Sequence, residues 1–249
     1  MKIISWNCNG ALRKKFEHLS DLNADIHVIQ ECEDPSQTKD ITYQKWAENH
    51  LWIGTNKNKG VGIFAKSSVQ LEQLDWSDLY HDGKVKCFLP CLVNNTFQLL
   101  GIWTHQNNSP NFAYIGQLWK YLQVNKHHFN KVLLVGDFNS NTIWDEWDRW
   151  WNHSDIVKEL KELGIESLYH HHFNEEQGKE SQPTFFLHRK LEKPYHIDYI
   201  FGSQPFTSNL IKLEMGDTEK WLKQSDHLPL VIEFETVAEV LILPGTSGE

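Results

Sequence analysis

Six segments place an oxygen or imidazole donor at or beside the end of a short apolar run. Asn7 follows 3–6, Glu31 follows 26–30, and His105 follows 99–104. Asp137 and Asn139 follow 132–136, Asp198 lies within 196–201, and Asp226-His227 precede Leu228-Pro229-Leu230. A strand end is where a chain presents a side chain to a ligand. Carboxylate and amide oxygens suit Mg²⁺, which takes few protein ligands and leaves positions for phosphate and water. The histidines add groups that can donate a proton or contact a phosphate. Each residue alone has a plainer reading, as a turn residue, a paired carboxylate or a capped turn.

These donors need strands to carry them. Apolar runs of strand length recur at 3–8, 25–31, 61–66, 86–93, 97–105, 132–137, 184–188, 196–201 and 228–234. Helical spacing marks 112–124 through Tyr114, Ile115, Leu118, Trp119 and Leu122. A second helix is expected over 155–163, with Ser154 as its N-cap and Gly164 as its stop. Nine such runs are too many for one singly wound parallel sheet of this length, so two packed sheets with helices outside fit better. There is no repeat and no Gly/Ser/Pro linker. One domain over 1–236 is expected, with 237–249 as a frayed tail.

Taken in order, the segments resemble the endonuclease/exonuclease/phosphatase superfamily, which includes deoxyribonuclease I and exonuclease III. The resemblance rests on Ser5-Trp6-Asn7-Cys8-Asn9-Gly10, Ile29-Gln30-Glu31, Gly136-Asp137-Phe138-Asn139-Ser140, Ile197-Asp198-Tyr199-Ile200 and Ser225-Asp226-His227-Leu228-Pro229. It implies a four-layer αββα sandwich of two mixed sheets and a Mg²⁺-dependent phosphodiesterase, with Mn²⁺ as a substitute. By that resemblance Glu31 binds the metal, Asn7 supports the site, and Asp226 lies beside it. Asp137 and Asn139 position a second metal or the attacking water. His227 contacts the scissile phosphate and is oriented by Asp198. His105 resembles the deoxyribonuclease I group, where exonuclease III and abasic-site enzymes carry a Tyr. No Glu stands in 60–64 to orient it, so a second His–carboxylate dyad is not implied.

Candidate substrate contacts are Asn9, Trp144 and Arg189, with Lys190 and 13–15 as further basic groups. Trp144, Trp147, Trp150 and Trp151 fall at helical spacing, which favours packing beneath the active-site loop over a platform for stacking bases. The histidine-rich stretch 169–178 reads as a solvated loop rather than a metal site. A net charge of −9 and the absence of a basic block argue against holding nucleic acid mainly by counterion release. They leave open an enzyme that meets phosphate through a metal. DNA is the expected substrate. The alternatives are a phosphatase or phosphodiesterase acting on a nucleotide, inositol phosphate or lipid head group, and an inactive binding protein.

No apolar window approaches the roughly 20 residues of a membrane span, and no signal peptide opens the chain, so the cytoplasm is the expected location. Cys8, Cys32, Cys87 and Cys91 show no metal-binding spacing and are expected as buried thiols.

Overall fold

The computed structural model describes residues 1–81, 83–106 and 110–235, so the expected tail at 237–249 lies outside the described residues. Twelve strands form two six-stranded sheets. The first contains β1 (Lys2–Asn7), β2 (Ile26–Cys32), β3 (His50–Asn56), β4 (Lys59–Ala65), β11 (Leu210–Met215) and β12 (Leu230–Phe234), in the order β11-β12-β1-β2-β4-β3. The second contains β5 (Leu71–Gln73), β6 (Phe88–Val93), β7 (Phe97–Trp103), β8 (Val132–Asp137), β9 (Ile165–Ser167) and β10 (Asp198–Ser203), in the order β9-β10-β8-β7-β6-β5. Both sheets are mixed. β1 pairs parallel to β2 and β7 parallel to β8, while the other pairs are antiparallel.

Period-2 alternation decides what each strand buries. Ile3, Val28, Ile63, Leu99, Leu133, Val135, Ile200 and Ile232 point between the sheets and form the central core. Their neighbours point outward. Ile4, Trp6 and Ile29 pack with Leu12, Phe16, Tyr43 and Trp221 under short helices. Leu100, Ile102, Val132 and Leu134 pack with Ile115, Leu118 and Leu122 of α1 (Ile115–Asn125) and with Ile156 and Leu160 of α2 (His153–Glu162). The layers are therefore helix, sheet, sheet and helix, as expected.

Several local expectations are corrected. Asn152, not Ser154, caps α2, because Asn152 and Asp155 form a reciprocal capping box. The first helix begins at Ile115 rather than 112, since Pro110–Phe112 forms a separate 3-10 turn. Only Phe185–Phe186 of the run 184–188 is strand, followed by a 3-10 turn at Leu187–Arg189. The stretch expected as a loop at 169–178 begins as α3 (Leu168–Phe173), with Tyr169 buried and His170 facing Glu180 at 3.0 Å. Strands β3, β5, β9 and β11 were not foreseen. All four lie at or next to sheet edges, where half-exposed residues blur the alternation.

The four cysteines are buried free thiols, as expected. Burial pushes Cys8, Cys87 and Cys91 up to about 12, so they remain protonated. Among the described residues no helix is long and apolar enough to cross a membrane.

Candidate active site

The inward-facing rows of the central strands turn polar at one rim. Ile3 and Ser5 lead to Asn7, Val28 leads to Gln30, and Leu133 and Val135 lead to Asp137. Pairing brings these ends together: Asn7 lies opposite Gln30, and Asp137 lies between Trp103 and Asp198 on its neighbouring strands. The two parallel pairs thus deliver their carboxyl ends to a common site.

Asn7 is the hub. Its Nδ2 donates to Asp137 Oδ2 at 2.9 Å and to Glu31 Oε1 at 3.4 Å, and its Oδ1 accepts from the Asn9 amide at 3.0 Å. Asn9 in turn donates its side-chain amide to Asp226 Oδ1 at 2.9 Å. Asn139 closes over Asp137 with its backbone N–H at 2.8 Å and its Nδ2 at 2.8 Å, and also donates to the Thr104 carbonyl. His227 Nδ1 lies 2.8 Å from Asp198 Oδ2, and Ser225 Oγ anchors this turn by donating to the Asn7 carbonyl at 2.7 Å.

Two of these residues are held in uncommon backbone conformations. Glu31 has φ 58 at a register shift between Gln30 and Cys32, and Asn139 has φ 45. A left-handed Glu inside a strand costs energy that surrounding structure must offset, and such residues cluster at functional sites. The turn before Asn139 has its own constraint. A Cβ on Gly136 would lie 1.9 Å from the Ile102 carbonyl oxygen, so only glycine lets β8 approach β7 there.

The electrostatics are those of a site short of positive charge. Burial pushes the Asp137 carboxyl up to about 7, reinforced by Asp198 nearby and opposed by His227. Burial works to lower the His227 imidazole, but Asp198 outweighs it and raises the ring to about 9. Asp198 Oδ1 is buried without a hydrogen-bond partner among the described residues. Asp137, Asp198 and His227 offer donor atoms within 4.8 Å of one another. A buried carboxylate oxygen lacking a donor, beside a second buried carboxylate, is what a cation would satisfy, so the donor set fits a metal.

Sequence reasoning missed two contributors. Thr184 Oγ1 accepts the backbone N–H groups of Ile197 at 3.1 Å and Asp198 at 3.0 Å, fixing where Asp198 begins. Lys59 places its ammonium 2.6 Å from Glu31 Oε2. An exposed lysine in the turn Lys57-Asn58-Lys59-Gly60 carries no signal of that role.

His105 follows the end of β7. Its Nε2 lies 3.5 Å from the Cys87 thiol, and its ring packs against Trp103 at 4.6 Å. Burial pushes this imidazole below its ordinary value, with Glu31 opposing and Lys86 and Lys59 assisting. Arg189 is exposed, with its guanidinium 3.5 Å from the Gln224 carbonyl, near the Asp226 turn. Lys15 donates to the Cys8 carbonyl at 2.6 Å, and Arg13 is paired with Glu33.

The tryptophan segment departs most from expectation. It forms a 3-10 turn (Thr142–Trp144) and a loop rather than a helix, and of the four only Trp151 is half-buried, stacked on Phe112 at 4.2 Å. Trp144, Trp147 and Trp150 are 43%, 95% and 61% exposed.

Residues 4–227 match the Endonuclease/Exonuclease/phosphatase family, and the chain belongs to it. Its fold is also that of several solved structures. The 3' phosphatase NExo from Neisseria, bound to a product DNA hairpin, is 21% identical with a TM-score of 0.72, covering 95% of this chain and 100% of that one. An AP endonuclease from Archaeoglobus fulgidus is 19% identical with a TM-score of 0.71, over 95% of this chain and 100% of that one. The APE2 catalytic domain of Xenopus laevis is 16% identical with a TM-score of 0.62, over 94% and 91%. A search of the curated proteins returned no match.

Proposed function

We propose that the protein is a Mg²⁺-dependent phosphodiesterase that cuts DNA, with Mn²⁺ able to replace Mg²⁺. The observation that carries this reading is the convergence of Glu31, Asp137, Asn139 and Asp226, linked through Asn7 and Asn9, at the rim where both parallel strand pairs end. Glu31, Asp226 and the Asp137–Asn139 pair would hold the cation, with Asn7 bridging Glu31 and Asp137. A cation held there would neutralise charge on the phosphate oxygens and ease loss of a proton from the attacking water. Asn139 and Asp137 orient that water.

His227 is held protonated by Asp198, so it serves the phosphate as a charged hydrogen-bond donor rather than serving the metal as a ligand. His105 provides a second imidazole for the leaving oxygen. Asn9 and Arg189 contact the substrate strand beside Asp226. DNA as substrate draws support from relatives of the same fold described as nucleases and a 3' phosphatase.

The test is a panel of supercoiled plasmid, linear duplex, single strand, abasic duplex, RNA and small phosphomonoesters, each with Mg²⁺ or EDTA. Cleavage of DNA that stops in EDTA and returns with Mg²⁺ or Mn²⁺ is expected. Glu31→Gln, which removes one ligand charge and little volume, should abolish turnover at ordinary Mg²⁺ and leave the fold intact. Undiminished hydrolysis after rigorous metal removal defeats the mechanism. Turnover of a nucleotide, inositol phosphate or lipid head group without DNA cleavage redirects the substrate.

A further inference from the structure

A cleft of about 280 Å³ opens beside Asn139, between the segment before α1 and the tryptophan loop. Tyr114, Trp144, Arg149 and Trp151 line it, with Ser140 and Asn152 among the polar groups. We infer that this cleft takes an unpaired nucleobase of the substrate strand, next to the phosphate held at the Asn139 rim. The inference rests on the phosphodiesterase reading and adds to it a preference for single-stranded or frayed DNA.

Three observations carry it. The cleft shares Asn139 with the candidate site, so a nucleotide whose phosphate lies at that rim has its base within reach. The walls are held in place by ring packing, Trp151 on Phe112 at 4.2 Å and Trp144 on Tyr195 at 5.2 Å, and by hydrogen bonds. Tyr114 is exposed at φ 52, ψ −118, a strained conformation for an aromatic residue, and is fixed by its N–H donating to the His105 carbonyl at 3.2 Å. The tryptophan loop is tied from within. Arg149 donates to the Trp144 carbonyl at 2.7 Å, Asn152 donates to the carbonyls of Glu146 and Arg149, and Asp145 accepts the N–H groups of His153 and Ser154. Tryptophans exposed on a braced loop are preorganised for a ligand.

Charge then selects the ligand. Asp145, Glu146 and Asp148 outnumber Arg149, which is spent on the Trp144 carbonyl and lies 4.0 Å from Glu146, so the loop does not favour a phosphate backbone and leaves an aromatic face to be met by an uncharged ring. The Tyr114 and Ser140 hydroxyls on the lining suit the edges of a base, and every base has a face to stack. A base within duplex is stacked and paired and cannot enter a concave slot without being displaced.

The full chain would be tested with a single-stranded oligonucleotide, the same strand with tetrahydrofuran spacers flanking the cleaved bond, and bis(para-nitrophenyl) phosphate. Trp144→Ala and Tyr114→Ala should each raise KM for the base-bearing strand by roughly 10- to 100-fold, the range expected for losing one stacked base. The rise on the spacer strand and on the small diester should be at least several-fold smaller. Trp144→Phe, which keeps an aromatic face, should recover most of the loss and guards against misfolding. In EDTA, where no turnover occurs, the base-bearing strand should quench tryptophan fluorescence in the wild type and much less in Trp144→Ala. Equal KM rises on all three substrates, or no quenching in the wild type, overturns the inference. Quenching without hydrolysis of any phosphodiester leaves the cleft standing and sinks the phosphodiesterase reading instead.

Discussion

His227 and His105 occupy opposite electrostatic environments, which separates their expected contributions. His227 is raised by the Asp198 carboxylate 2.8 Å away, while His105 is lowered by burial. If Asp198 acts by holding His227 protonated, the two behave as a unit. Asp198→Asn, His227→Ala and the double variant should then leave similar residual kcat, a non-additive cycle. Fully multiplicative losses would show two independent roles. To serve the leaving oxygen His105 must carry a proton, which burial opposes and Glu31 favours, so its worth as a donor depends on the leaving group and grows as pH falls. His105→Ala should lower kcat about 10²–10⁴-fold on DNA and far less on a nitrophenyl ester. An equal loss on both would assign it to phosphate binding. With His105 where abasic-site enzymes carry a Tyr, intact DNA should be cut at least as well as abasic duplex. Most polar residues of this site were legible in the sequence because each stands at or beside the end of an apolar run, and Asp198, inside such a run, stood out as a carboxylate among apolar neighbours. Lys59 and Thr184 were not, since an exposed lysine and a buried threonine look the same whether or not they touch a functional carboxylate.

At the scale of elements, the central strands were readable and the edges were not. Strands such as β8 are buried on both faces and show as continuous apolar runs, whereas β3 and β11 carry intermediate and exposed residues that hide their period. The tryptophan spacing misled for a related reason. Four large apolar residues three or four apart suggest a helix face, but Asn152 spends its side chain on loop carbonyls and starts the helix only at His153. The β8 end supplies a prediction of its own. Gly136→Ala must drive a methyl into the Ile102 carbonyl and should cost several kcal/mol, of the order reserved for core clashes or worse. Gly164→Ala, at φ +71 in open space after α2, should cost only about 1 kcal/mol. Urea midpoints would measure both. Similar losses would mean that the strand end yields and that glycine is not required at the Asn139 turn.

The four layers were legible from strand count and from the order of the motifs. How charge is distributed across the layers was not, and it sets how the whole molecule responds to acid. His27 lies on the outward face of β2, packed near Trp46, with its Nε2 buried and without a partner among the described residues. Burial lowers it to about 4; Lys66 assists and Asp25 opposes. His153 opens α2 on the far side of the other sheet. Burial lowers it to about 3, with Glu180 opposing and His170 and His196 assisting. Both folded values lie below the unfolded value of about 6.5, so the unfolded chain binds these protons first. The stability tied to each ring is complete above about 6.5 and is lost as pH falls through that value toward about 4 for His27 and about 3 for His153. At pH 5 the deficit is about 2 kcal/mol per ring, from about 1.4 kcal/mol per pH unit. His27→Leu and His153→Leu should therefore each flatten the fall in unfolding free energy between pH 6.5 and 5 by that amount. Because the rings lie on opposite outer faces of the sandwich, the double variant should flatten it by the sum. Denaturant titrations at several pH values would measure the slopes, and unchanged slopes in both single variants would show that these histidines remain accessible to protons in the folded protein.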